Sequence, residues 1–197
     1  MHAIYKREMK SYFTSPIGYI VCSVMLLLLG LYFSYMYRNN YTNISFVFMS
    51  ISTIALLVCP IITMRLLSED KRQKVDQLLL TAPVKLWKII YGKFFAALTL
   101  FMLPFAMTFI YVFILMLSTS VNWLAFLADL LGIALLGSSI LAIGLFISAL
   151  TESQIIAGIF GIVVSFFIMQ IDYFSQSVDA TWFTNATTYI SFVTRYN

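Results

Sequence analysis

The stretch RLLSEDKRQKVDQLLLTAPVKLWKIIYGK, residues 65–93, decides how the chain is read. It is the only long polar passage between apolar runs, and it holds seven of the twelve basic residues (Arg65, Lys71, Arg72, Lys74, Lys85, Lys88 and Lys93). Three of the eight acidic residues, Glu69, Asp70 and Asp76, lie there too. A basic loop between two membrane spans is kept on the cytoplasmic side. Its 29 residues exceed what a turn between neighbouring helices needs, and loops of this length usually carry function. The pattern predicts two short helices. Ser68 caps the first, with Glu69 and Asp70 in the first turn, where the helix dipole favours negative charge. Val75, Leu78 and Leu79 then share one face of a helix running over residues 68–81, to Thr81. Pro83 ends that helix and opens the next. Two readings stand at this point. The loop is either a solvated connector that sets topology, or an amphipathic platform. As a platform it buries Val75, Leu78 and Leu79 against a partner, with Glu69, Asp70 and Arg72 as a polar rim.

Composition says what lies on either side. Of 197 residues 61% are hydrophobic and only 10% are charged, and the mean hydropathy is +0.94. Soluble domains carry about 25% charged residues. So much apolar surface cannot be hidden inside a core of this size, so the solvent of most side chains is lipid. Uncharged runs separate Lys10, Arg38, Arg65, Lys93, Asp129, Glu152 and Asp172, each long enough for one bilayer-crossing helix. The expected spans are 17–37, 44–64, 94–117, 124–150 and 155–171. The fold class is therefore an all-α polytopic membrane protein of five spans in one domain, 1–197. Helices one and two occupy 17–64, the cytoplasmic loop 65–93, and helices three to five 94–171. Residues 172–197, polar and aromatic, form an extracytoplasmic segment. With the N-terminus inside, ten of the twelve basic residues fall on the cytoplasmic side, and only Arg38 and Arg195 fall outside. The net charge of +4 follows from that topology and does not point to nucleic acid. The first apolar run begins too late and is too long for a cleavable signal peptide.

Residues 1–16 are too polar to cross. Ile4, Tyr5, Met9, Tyr12 and Phe13 fall on one helical face, with Lys6, Arg7 and Lys10 elsewhere. This predicts an amphipathic helix in the cytoplasmic interface, its cations near anionic headgroups, ended by Ser15-Pro16. Pro60 and Pro104 lie inside spans two and three, where proline removes a hydrogen bond and kinks the helix, so both are candidate hinges. Small residues recur every four positions at Ala134, Ser138 and Ala142, and again at Ala157 and Gly161, a spacing that lets helices approach closely. Span one and the Ala157/Gly161 face of span five are candidate surfaces for close helix contact. Asp129, near the interfacial Trp123, is expected to reach the outer headgroups. Glu152 marks a tight cytoplasmic turn.

Several chemistries are excluded. The single histidine is His2, and no Cys/His cluster has metal-ligand spacing. No Ser/His/Asp set is available, so no catalytic residue is assigned. There is no phosphate-binding G-x-x-x-x-G-K-[ST] loop, so this chain does not hydrolyse nucleotide alone. Ion-coupled carriers place several ionisable groups at mid-membrane, and here there is at most one. Cys22 and Cys59 read as free thiols within apolar runs.

Two blocks carry a family resemblance. Ala3-Ile4, Lys6-Arg7-Glu8, Lys10, Tyr12-Phe13, Ser15-Pro16 and Gly18-Tyr19 form the first. Thr63-Met64-Arg65, Ser68-Glu69-Asp70-Lys71, the run from Leu78 to Val84 and Gly92-Lys93-Phe94 form the second. Together they resemble permease subunits of type-2 ABC exporters, in the branch associated with gliding motility and nitrous-oxide-reductase maturation. The resemblance implies an N-terminal interfacial helix, a coupling helix in the loop after span two, and a separate cytoplasmic ATPase that binds Mg-ATP. It implies no cofactor in this chain and a working complex of two permease subunits, identical or paralogous, with two ATPases. The expected location is the inner (cytoplasmic) membrane. The family pattern has six spans with both ends inside, and this chain supports five. A non-transporting membrane scaffold or assembly factor is the alternative reading, and five spans would suit it. A membrane-embedded enzyme lacks the catalytic groups.

Overall fold

The computed structural model describes residues 2–39, 44–72, 86–117 and 122–177, with side chains except at 86 and 169–177. Every regular element among them is helical. The first helix, α1, covers His2–Thr14. It ends as the sequence dictates: the Thr14 hydroxyl turns back to donate to the Lys10 carbonyl, and Ser15 takes an extended conformation. Ser15 Oγ then accepts from the Ile17 N–H and caps α2, Pro16–Arg38, whose first position is proline. The corner between the two helices needs Gly18. A Cβ there would sit 2.5 Å from the Tyr12 carbonyl oxygen, so only glycine lets α2 leave against the last turn of α1.

Helix α3, Ser45–Thr63, is the centre of the bundle. Half of its spanning stretch is buried, against 22% for α2. Val47, Phe48, Ile51, Ala55, Val58, Cys59 and Ile62 form its covered side. A five-residue helix, α4 (Ser68–Arg72), follows, and then α5, Leu86–Met102. Helix α5 gives way to a 3-10 turn at Pro104–Met107 and continues as α6, Thr108–Met116. Helix α7 spans Trp123–Leu150, capped by Asn122, whose side chain accepts from the Leu124 and Ala125 N–H groups. Helix α8 covers Gln154–Ser177 after the turn that holds exposed Glu152.

Four stretches are long and apolar enough to cross a membrane: Pro16–Arg38, Ser45–Arg72, Trp87–Met116 and Trp123–Leu150. The chain is thus a multi-pass membrane protein. In α8 the apolar stretch among residues with described side chains is Gln154–Ile168, shorter than a span.

Several sequence expectations are corrected. The second loop helix and the third span are one element: α5 begins at Leu86 and runs on to Met102, so residues 86–93 continue the span instead of forming a separate short helix. The charge that argued against this, Lys93, is neutralised by carboxylates from other segments. Pro104 opens the 3-10 turn that follows α5, and Pro60 lies inside α3, where the Thr63 hydroxyl bonds back to the Cys59 and Pro60 carbonyls. Asp129 does not reach for headgroups. It accepts a 2.6 Å hydrogen bond from Ser45 Oγ at the start of α3, where the helix dipole favours a carboxylate. The Ala134/Ser138/Ala142 stripe stays half-buried or exposed, while Gly137 and Gly144 take the packing positions, against Phe101 and Thr63. The Ala157/Gly161 face is buried inside this same chain. A Cβ on Gly161 would lie 2.9 Å from the Pro60 ring, so that face is not free for a second copy.

Candidate functional site

One end of the bundle gathers α1, the last turn of α3, α4, the start of α5 and the α7–α8 turn. Its centre is Lys93. The side chain is 1% exposed, and an ammonium has three donors to satisfy. All three find acceptors on different segments: Asp70 Oδ2 of α4 at 2.8 Å, Glu8 Oε1 of α1 at 3.1 Å, and the Leu66 carbonyl after α3 at 2.5 Å. Arg7 adds a second cation, 2.7 Å from Glu8 and 3.4 Å from Asp70. Two cations and two carboxylates therefore alternate, each carboxylate held by both cations. That balance makes a buried ammonium tolerable, since an unpaired one would be costly.

The surroundings extend the joint. Arg65 pairs with Glu69 one turn on. The Tyr12 hydroxyl, fully buried, donates to the Ile62 carbonyl at 3.0 Å, and Tyr5 donates to Thr99 Oγ1 at 3.1 Å. Burial raises the Tyr12 pKa far above the ordinary phenol value, with Glu8 adding to the shift, so this group stays a neutral donor. Partial burial works against the charge on Arg7, but Glu8 and Asp70 outweigh it and hold its pKa above the usual value. A cavity of about 350 Å³ opens on the cluster.

A second joint fixes α4 to α7. Ser148 Oγ accepts from the N–H groups of both Leu67 and Ser68, each at 3.1 Å. These are donors at a helix start, which have no partner within their own helix. Lys71 donates to the Ala149 carbonyl near the end of α7, a favourable place for a cation.

The sequence-predicted residues fall as follows. Ser68 is buried, its hydroxyl turns back to the Met64 carbonyl, and its own N–H, with that of Leu67, donates to Ser148 Oγ. Glu69 and Asp70 are engaged in the joint, while Arg72 is exposed. Val75, Leu78, Leu79, Thr81 and Pro83 lie outside the described residues. On α1 the expected apolar face exists, but protein covers it: Tyr5, Met9, Tyr12 and Phe13 pack into the core, and Lys6, Arg7 and Lys10 stay exposed. Sequence reasoning missed Glu8, Lys93 and Ser148 as a set. The signal for Lys93 was present: one lysine inside the apolar run IIYGKFFAAL needs a buried partner.

Among the described residues no group of three or more His, Cys, Asp or Glu side chains is placed to hold a metal ion. Long apolar helices with most of their ionisable groups gathered at one end define a polytopic helical membrane protein. A family model described as "ABC-2 family transporter protein" matches residues 23–196. The chain belongs to that family and is a membrane permease component of an ABC transporter. No curated protein and no solved structure matched it.

Proposed function

We propose that the chain is the permease subunit of an ATP-driven exporter of the inner membrane, powered by a separate cytoplasmic ABC ATPase. The ATPase binds Mg-ATP and docks on residues 68–81. The motif blocks favour the gliding-motility and nitrous-oxide-reductase-maturation branch. The N-terminus and loop face the cytoplasm, α8 is the fifth span, and α1 lies at the interface with its cations toward headgroups. Two permease copies pair, and α2 is the better candidate contact. Tyr19, Ile20, Val24, Leu27, Leu31 and Tyr35 form an exposed apolar stripe along it.

One observation carries this reading. The first helix of the loop is joined to α1 and α5 through Lys93, and to α7 through Ser148 and Lys71. An ATPase closing on nucleotide moves membrane helices only through a rigid contact, and this joint supplies one. The push then reaches α1 and α7 as well as α5, one of the two spans that flank the loop. Pro60 and Pro104 serve as hinges farther along. The test is co-purification. The wild-type chain brings down an ATPase in equal stoichiometry. Replacing Leu78 and Leu79 with aspartate leaves the permease inserted and detaches the ATPase, because buried unpaired charge is costly. Normal ATPase binding and transport by that double variant would make the loop a mere connector.

A further inference from the structure

Beside the buried cluster, on its outer flank, lies an open groove of about 390 Å³ lined by Arg7, Lys10, Ser11, Thr14, Ser15 and Arg65. It presents three cations and three hydroxyls and no carboxylate. The carboxylates of the joint occupy one edge of each arginine. Glu8 takes Nε and Nη2 of Arg7, and Glu69 takes Nε and Nη2 of Arg65. A guanidinium has five N–H donors, so Nη1 of each remains for another acceptor. Lys10 makes no ion pair among the described residues, and the Ser15 hydroxyl, accepting from Ile17, keeps its own proton to donate.

We propose that this groove binds the phosphate group of an anionic phospholipid. The remaining Nη1 groups of two arginines, an ammonium and the Ser11 and Ser15 hydroxyls line one groove and match a phosphate's acceptor oxygens. The depth is right as well. Ser15 and Pro16 are where α2 begins, and Tyr19, one turn on and 59% exposed, stacks edge-to-face with Phe13 at 5.9 Å. Aromatic residues of this kind sit at headgroup level. The groove rests on the reading of this end as the cytoplasmic face, where anionic lipids attract basic groups, and needs nothing from ATPase docking. A phosphate there shares Arg7 with Asp70 and Arg65 with Glu69, so lipid occupancy sets the position of the loop's first helix.

The test is native mass spectrometry of the full chain, released from detergent containing equal phosphatidylglycerol and phosphatidylcholine. The wild type retains phosphatidylglycerol preferentially. K10Q/S11A lowers that preference about fivefold or more, the effect of one interfacial cation. K88Q removes the same charge from an exposed position at the start of α5, outside the groove, and leaves the preference unchanged. Equal retention of both lipids by the wild type overturns the proposal, and so does an equal loss in K88Q, which would mean diffuse attraction. If excess inorganic phosphate at matched ionic strength displaces the lipid, the groove is a free-phosphate site and the lipid assignment falls. If adding the ATPase strips the lipid, the groove is a protein contact instead. A wild-type chain that binds no ATPase but still selects phosphatidylglycerol would refute the exporter reading and leave this one standing.

Discussion

Replacing Lys93 with methionine tests the joint directly. Methionine keeps most of the stem's volume and deletes the charge. Glu8 and Asp70 then lose a shared partner that holds their oxygens within about 6 Å of one another. Two like charges at about 6 Å repel by about 3 kcal/mol at an effective dielectric near 20. Truncating one member of a buried ion pair costs about 3–5 kcal/mol by mutational measurement. Arg7 remains on both carboxylates, which favours the lower end, so about 3 kcal/mol is expected. That is roughly a hundredfold in a local opening equilibrium. Hydrogen exchange read by mass spectrometry, on the protein in nanodiscs, reports it. Amides of α1 and of residues 66–72 should lose about two decades of protection, while mid-helix amides of α7 keep theirs. The cause is electrostatic, so adding E8Q to K93M should restore part of the protection. Unchanged exchange in α1, or an E8Q effect that adds to the loss instead of offsetting it, would refute the reasoning.

Other expectations follow from single contacts. Ser148→Ala leaves the Leu67 and Ser68 N–H groups without their acceptor, which costs about 1–3 kcal/mol and should appear as faster exchange confined to α4. Gly18→Ala drives a Cβ against the Tyr12 backbone and should destabilise by about 1–3 kcal/mol, lowering the melting temperature in detergent; an unchanged melting temperature would mean the corner is looser than described. Topology is read by single cysteines in a background lacking Cys22 and Cys59. Asn40→Cys should label from outside and Gln73→Cys should not, and the reverse result would invert the orientation.

The sequence by itself determined the class of the protein. Charge spacing and apolar run length placed the membrane helices, because the bilayer accepts only long uncharged stretches, and that constraint is local in the chain. Ser15-Pro16 was legible as a helix boundary for the same reason: a cap acts within a few residues. The joint was not legible. Lys93 looked like a loop residue because its neutralising partners, Glu8 and Asp70, lie 85 and 23 positions away. Ser68 looked like a surface cap because the residue that engages its backbone, Ser148, is 80 residues on. The small-residue spacing suggested an outward contact at Ala157 and Gly161, yet Pro60 of the same chain fills it. Whether a charge is solvated or buried, and whether a smooth face meets a partner or its own neighbour, depends on which helices the fold brings together. Only the tertiary structure decides that.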